Sequence, residues 1–151
     1  MKFLCDQMLG TLAKWLRVYG FDTFFANSKL DDADLIEIAK KEKRALITRD
    51  KTLSQVARRE NLKVYEIKST DIDEQLNQVL EDIYIDKKQI FSRCLLCNSL
   101  ISLIDKDRVK NRVPERVYKN NQKFWYCVKC DKIYWKGSHH NNMLKKIKSM
   151  R

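Results

Sequence analysis

Residues 1 to 83 alternate between two hydrophobic patterns, short apolar runs and longer segments whose apolar residues recur every three to four positions. The short runs are typical of buried strands, and the longer segments are typical of amphipathic helices. The predicted strands are 2–5, 22–26, 45–48 and 62–67, with helices at 8–19, 31–43, around 53–57, and 71–83. Strands that alternate with helices in this way predict an α/β fold with a parallel sheet, whose strand ends lie on one edge.

An aspartate lies beside several points where a predicted strand gives way to a helix. Asp6 and Asp50 follow the first and third strands, and Asp34 falls in the first turn of the second helix. Each aspartate alone has an ordinary explanation, because Asp is a favoured N-cap. A parallel sheet would bring all three together, however, and crowded carboxylates repel unless a cation neutralises them. The pattern therefore predicts a catalytic Mg²⁺ or Mn²⁺ site for phosphodiester cleavage.

Other charged residues lie close to these positions in the sequence. Asp31 and Asp32 precede the second helix and could help to hold a second ion or a water molecule. The basic residues best placed to hold flanking phosphates are Lys14, Arg17, Arg49 and Lys51. For Arg17, the alternative is a position on the surface of the predicted helix, without contact to a phosphate.

The composition of the chain changes near residue 88, so we expect a first domain at 1–88 and a second at 89–151. Residues 1–90 carry equal numbers of acidic and basic side chains, whereas residues 91–151 carry 15 basic and 4 acidic ones. The whole net charge of +11 therefore lies in the second part, which favours binding to phosphate backbones. A solvated surface or contact with an acidic protein is the alternative. The candidate nucleic-acid contacts are Lys14, Arg112, Arg116, Lys136, Lys145 and Lys146. The interleaved aromatic residues include both core residues, which we expect most of them to be, and platforms for base stacking; they are Phe124, Trp125, Tyr126, Tyr134 and Trp135.

Four of the five cysteines form two Cys-x-x-Cys pairs separated by 29 residues, Cys94 with Cys97 and Cys127 with Cys130. Four thiolates satisfy the tetrahedral coordination of zinc and leave no open position, so we expect one structural Zn²⁺ per chain in a small zinc ribbon. A redox dithiol is the alternative. Cys5 lies within the first strand and is expected in the core.

No stretch approaches the roughly 18 apolar residues that a membrane span requires, and the first residues lack the order of a signal peptide. We therefore expect a cytoplasmic protein that has no contact with a membrane.

Several motifs, in order, resemble the Mut-seven C-terminal ribonuclease family, which has a PIN-like fold with a fused zinc ribbon. They are CDQMLGTLAKWLRVYGFDT, DDADLIEIAKKEKRALITRDKTL, CLLCN, RVPERVY and FWYCVKCDKIYWKGSHHNNM. The resemblance implies a Mg²⁺- or Mn²⁺-dependent ribonuclease acting on single-stranded or structured RNA, with Asp6, Asp34 and Asp50 as its acids. PIN enzymes commonly add an acid from an earlier helix, where this chain offers only Asp22. Either Asp31 or Asp32 takes that place, or the site is short of one acid.

The sequence therefore predicts a cytoplasmic, metal-dependent ribonuclease whose PIN-like parallel sheet is followed by a zinc ribbon that aids RNA binding. Association with the ribosome or with RNA processing is a further expectation. The alternative is a non-catalytic RNA-binding or ribosome-associated adaptor, and a weaker one is a module that docks on an acidic protein.

Overall fold

A computed structural model describes residues 1–150 and divides the chain after Asn98 into two compact units. Residues 89–98 belong to the first unit because they bond to its helical layer: the Phe91 N–H donates to the Val18 carbonyl at 2.9 Å. The first compact unit therefore continues past residue 88, where the composition of the chain changes. The functional domain boundary at 88 stays a prediction.

The first unit is an α/β domain with a four-stranded parallel sheet, as the sequence predicts. The strand order is β2-β1-β3-β4. Its elements are β1 Lys2–Cys5, α1 Gly10–Val18, β2 Asp22–Phe25, α2 Asp32–Glu42, β3 Ala45–Thr48, α3 Lys51–Arg59, β4 Val64–Glu66 and α4 Ile72–Leu80.

Helices cover the sheet because its strands are apolar on both sides. Leu4 and Leu46 lie in one buried cluster with residues of α2 and α3, which include Leu35 and Leu53. Right-handed crossovers put α1 on the opposite face, where it packs against α4. The chain leaves β1 toward β2 but later proceeds from β3 toward β4, so the direction of winding reverses between β1 and β3. In open α/β sheets, ligands bind at the carboxyl ends of the strands at such a reversal.

The second unit contains a small antiparallel sheet of order β5-β6-β7. Its elements are β5 Ser102–Ile104, α5 Glu115–Asn120, β6 Phe124–Cys127, β7 Lys132–Tyr134 and α6 Ser138–Ser149. The buried apolar residues of this unit include Val109, Phe124, Met143 and Ile147. Together with the four cysteines described below, the sheet forms a zinc-ribbon-like region.

The basic C-terminal residues of the chain form helix α6. Met143 and Ile147 are four residues apart, so they share one face of a helix and are buried together. The lysines between them obscure this pattern in the sequence. Within residues 1–150, no helix is both long and apolar enough to cross a lipid bilayer.

Candidate active site and metal centres

Asp6 lies directly after β1, at the reversal point of the sheet. Its backbone N–H donates to the Ile47 carbonyl at 3.0 Å, which continues the β1–β3 pairing by one residue and fixes the start of the following turn. The Oδ1 atom of Asp6 accepts a hydrogen bond from the Gln7 N–H at 2.7 Å and so caps the 3₁₀ turn that begins there. The position of this carboxylate is therefore set by the pairing of the two central strands.

The buried hydroxyl of Thr48 connects Asp6 to Asp50. Thr48 Oγ1 donates to Asp6 Oδ2 at 3.0 Å and accepts from the Asp50 N–H at 3.0 Å. Asp50 in turn caps α3, because its Oδ1 accepts from the Leu53 N–H at 3.1 Å. The ends of β1 and β3 are thus joined by one side chain with no solvent exposure.

Asp31 and Asp34 form a reciprocal capping box at the start of α2. Asp31 Oδ1 accepts from the Asp34 N–H at 2.8 Å, and Asp34 Oδ2 accepts from the Asp31 N–H at 3.0 Å. Such pairs satisfy two N–H groups that the first turn of a helix leaves unbonded. The carboxylate of Asp34 therefore serves the helix start.

Asp32, the first residue of α2, is the acid whose pKa is affected by the charges of Asp6 and Asp50. Partial desolvation raises the pKa of its carboxyl group, and the negative charges of Asp50, Asp6 and Asp31 raise it further. Asp32 is therefore within electrostatic range of Asp6 and Asp50, whereas the Asp34 carboxylate is turned toward its capping partner. Within the described residues 1–150, no three carboxylates approach as closely as the cysteines described below.

Among the basic residues predicted to hold phosphates, Arg17 differs from the others in its burial. Arg17 is buried, and its guanidinium donates to the carbonyls of Thr23 and Leu95, each at 3.0 Å. We therefore correct its assignment from a phosphate contact to a structural residue. Arg49 is half-buried and donates from Nη1 to the Ser69 carbonyl at 2.7 Å. The side chains of Lys14 and Lys51 are exposed, and their phosphate contacts stay predictions.

The four cysteines of the two Cys-x-x-Cys pairs gather into one cluster. The sulfur atoms of Cys94, Cys97, Cys127 and Cys130 all lie within 4.8 Å of one another. Four thiolates bound to zinc at about 2.3 Å would lie about 3.8 Å apart, so a small contraction would complete a tetrahedral site. The Cys130 N–H also points to the Cys127 sulfur at 3.4 Å. The donor set fits zinc, and the cluster can hold one ion.

The segment with the first cysteine pair is bonded to the edge strand β2. Asn98 accepts at Oδ1 from the Thr23 N–H at 2.9 Å and donates from Nδ2 to Asp22 Oδ1 at 2.7 Å. Arg44, which is buried, donates to the same Asp22 oxygen at 2.8 Å. Burial raises the pKa of the Asp22 carboxyl, but the bonds from Asn98 and Arg44 outweigh it and hold this pKa below its usual value. Asp22 is therefore a structural acid.

The predicted nucleic-acid contacts of the second unit are mostly exposed. Arg112 pairs with Asp131, which also accepts from the Tyr126 hydroxyl at 2.6 Å. These bonds, first that from Tyr126 and then that from Arg112, hold the pKa of Asp131 below its usual value. Lys136 lies over an aromatic ring described below. The side chains of Arg116 and Lys145 are exposed and that of Lys146 is half-buried, and RNA contact by all of these residues stays a prediction.

Sequence reasoning missed Thr48 and Asn98. A buried threonine at the end of a strand resembles any β-branched core residue, so only its hydrogen bonds disclose that it links two acids. Asn98 has a positive φ of 74°, a conformation that asparagine adopts more readily than most residues. In the sequence, the signal that could have pointed to Asn98 is its position directly after the first cysteine pair.

Comparison with protein families gives a match over residues 1–147 to the family described as the Mut7-C RNAse domain. The match covers nearly the whole chain and includes both cysteine pairs. A comparison with curated proteins found no match.

Proposed function

We propose that this chain, which belongs to the Mut7-C RNase domain family, is a divalent-metal-dependent ribonuclease with its active site at the carboxyl ends of β1 and β3. The family is one of ribonuclease domains, so RNA is the substrate that it implies. The observation that carries the proposal is the Asp6–Thr48–Asp50 bridge at the point where the winding of the sheet reverses. The position of this bridge is where open α/β sheets bind ligands.

The donors at this point fit Mg²⁺ or Mn²⁺, because carboxylate oxygens are hard ligands that these ions prefer. Asp6 and Asp50 each use an oxygen to cap a helical turn, but every carboxylate oxygen has two lone pairs and retains capacity for a cation. When bound, a divalent cation polarises the scissile phosphate and makes water a stronger nucleophile.

We assign the third acid to Asp32, rather than to the Asp34 that the sequence and the family resemblance favour. Two observations support this choice: partial desolvation and then the charges of Asp50 and Asp6 raise the pKa of Asp32, and the capping box turns the Asp34 carboxylate toward the Asp31 N–H. Asp34 then acts indirectly, by fixing the start of the helix that carries Asp32.

The protein's own residues would provide position and charge. Thr48 holds Asp6 and Asp50 in one fixed relation, so little rearrangement is needed when a cation and RNA bind. Lys51, exposed in the first turn of α3, is placed to contact a phosphate beside the scissile bond, and Arg49 precedes Asp50 directly. Hydrolysis would leave a 5′-phosphate on the downstream fragment.

The ribbon's proposed part is to hold RNA, with one structural zinc ion bound by the four cysteines. The excess of basic side chains in residues 91–151 supports this part of the proposal, because released counterions favour binding of phosphate backbones. A cytoplasmic location and an association with ribosomes or RNA processing remain predictions from the sequence.

Cleavage of labelled RNA in Mn²⁺ by four purified proteins tests the proposal: the unchanged chain, the double variant Asp6→Asn with Asp50→Asn, and the single variants Asp32→Asn and Asp34→Asn. We expect the double variant to be inactive and Asp32→Asn to lose at least about 100-fold in rate. Asp34→Asn should lose less than about tenfold, since asparagine still accepts a hydrogen bond at a helix start. The reverse order of the two single variants would return the third acid to Asp34.

A non-catalytic RNA-binding adaptor is the second candidate. It is favoured by the observation that the acid oxygens of the described residues do not gather as tightly as the cysteine sulfurs. Salt-dependent RNA binding without cleavage by any of the four proteins, in either Mg²⁺ or Mn²⁺, would select the adaptor. Equal cleavage by the unchanged chain and the double variant would indicate a contaminating nuclease.

A further inference from the structure

One face of the small antiparallel sheet carries a row of large side chains that crosses all three strands. Leu103 of β5 pairs with Trp125 of β6, and Trp125 pairs with Tyr134 of β7. Directly paired residues of antiparallel strands point to the same face, so these three side chains lie side by side. We call these three residues, the aromatic Trp125 and Tyr134 together with the aliphatic Leu103, the aromatic row.

The side chains of this row are accessible to solvent, whereas a neighbouring side chain on the opposite face is buried. Phe124 precedes Trp125 and therefore points to the opposite face, where it has no solvent exposure. On the face of the aromatic row, Leu103 is 65% exposed, and the side chains of Trp125 and Tyr134 are partly exposed. Phe124 is therefore packed on the other face, and the row stays accessible to solvent as far as Cys127, the next residue of β6 on the same face, which is buried.

Two lysines lie over the rings of this row. The Nζ of Lys136 is 5.6 Å from the ring centroid of Trp125, and the Nζ of Lys132 is 5.3 Å from that of Tyr134. Exposed cation–π contacts of this kind are weak, so a competing planar group can displace the ammonium from the ring. The displaced ammonium would remain within the reach of its own side chain, close to whatever lies on the ring.

We propose that the aromatic row binds unpaired bases of single-stranded RNA, with Lys132 and Lys136 contacting the phosphates on either side. This inference rests on the proposed function, which makes RNA the ligand. A base that stacks on Trp125 or Tyr134 needs a free face, and both faces of a base inside a duplex are already covered by its neighbours. The row therefore selects single-stranded segments over duplexes and tolerates different base sequences.

The charge of the surrounding unit matches this ligand. Residues 99–151 contain 14 basic and 4 acidic side chains, so phosphate groups are attracted to the unit as a whole. That attraction applies equally to duplex and single-stranded RNA. The row would add the discrimination that charge alone lacks, and it would direct the proposed nuclease to unpaired regions.

The experiment measures binding rather than cleavage. The full zinc-loaded chain, in a buffer without added Mg²⁺, Mn²⁺ or chelator, is titrated into fluorescein-labelled oligouridine and into a blunt RNA duplex of the same length. We expect Trp125→Leu and Tyr134→Leu each to weaken oligouridine binding by about tenfold or more. Duplex binding should change by less than about twofold. Trp125→Phe should restore most of the lost affinity, because it keeps a ring that can stack.

Tyr118 offers a matched control in the same unit. It lies on α5, outside the sheet, and also has a lysine over its ring, with Lys106 Nζ at 4.7 Å from the centroid. Tyr118→Leu should leave the affinity for both RNAs unchanged. Circular dichroism and zinc content, measured on every variant, identify any protein that has lost its fold.

Four results would overturn the inference. The folded Trp125→Leu variant could bind both RNAs as the unchanged chain does, it could lose affinity equally for both, or the Tyr118 variant could lose as much. An unchanged chain that binds neither RNA would also overturn it and would favour an acidic protein as partner. These measurements do not depend on cleavage. If the acid variants contradict the proposed nuclease, the binding results still decide whether the aromatic row binds RNA.

Discussion

Replacing Thr48 with valine tests whether its hydroxyl organises the acids at the ends of β1 and β3. The change keeps the shape of a fully buried side chain but removes two hydrogen bonds, one to the Asp6 carboxylate and one from the Asp50 N–H. A bond to a charged acceptor contributes about 1.5–3 kcal/mol, and a neutral one about 0.5–1.5 kcal/mol. The free energy of unfolding should therefore fall by about 2–4.5 kcal/mol.

The same change should weaken the proposed metal site, because loss of a group that orients the ligands typically costs about 10–100-fold in metal affinity or activity. The assay is the rate of RNA cleavage as a function of Mn²⁺ concentration, together with urea unfolding in the absence of divalent ions. Thr48→Val should need more Mn²⁺ for half of its maximal rate.

Thr48→Ser is the matched control, since it keeps the hydroxyl and loses only one buried methyl group, worth about 1 kcal/mol. It should keep the dependence on Mn²⁺ of the unchanged chain. The reasoning fails if Thr48→Val retains both its stability and its Mn²⁺ dependence, or if the serine variant loses as much metal affinity as the valine variant.

Three further predictions follow from individual contacts. Because the folded-state pKa of Asp32 is raised, its ionised form opposes folding at neutral pH, so Asp32→Asn should be at least as stable as the unchanged chain at pH 7. That advantage should shrink as the pH falls through the raised pKa. Urea unfolding at several pH values measures the difference in stability. A variant that is less stable than the unchanged chain at pH 7 would contradict the electrostatic coupling of Asp32 to the neighbouring acids. Arg44→Met leaves the carboxylate of Asp22 without its buried cation and should cost about 3–5 kcal/mol, whereas a loss below about 1 kcal/mol would show that Asn98 alone suffices. Metal analysis should find one zinc per chain, and its removal should lower the melting temperature; a chain purified without chelators that contains no zinc would refute the cysteine site.

The apolar pattern of the sequence was sufficient to predict the parallel sheet and the helices of the first unit. Every predicted strand and helix between residues 2 and 83 exists, because alternating short apolar runs and amphipathic segments leave few other ways to bury their side chains. Asp6 and Asp50 could be predicted as neighbours for the same reason, since the parallel topology fixes which strand ends share an edge.

The proposed assignment of the third acid to Asp32 rather than Asp34 could not be made from the sequence. Successive residues of a helix differ by about 100° around its axis, so two positions on the same first turn face different surroundings. Which of them turns toward Asp6 and Asp50 depends on where α2 begins and on how it packs. The capping box formed by Asp34 is visible only once the helix start is known.

Contacts between distant segments were also beyond sequence reasoning. The Asn98 side chain bonds to Asp22 and Thr23, which lie more than 70 positions earlier in the chain. Arg17 occupies a helical position that resembles a surface site, yet its guanidinium is drawn inward by two backbone carbonyls. Such bonds depend on tertiary packing, and no local pattern in the sequence records them.

Binding of Mn²⁺ to the zinc-loaded protein tests the central claim most directly, because it asks whether the acids at the ends of β1 and β3 form a cation site. Electron paramagnetic resonance of free Mn²⁺ gives the affinity without any need for RNA or turnover. We predict at least one Mn²⁺ bound per chain, with affinity at least about tenfold weaker in the variant that combines Asp6→Asn with Asp50→Asn. Equal Mn²⁺ binding by the two folded proteins would contradict the account.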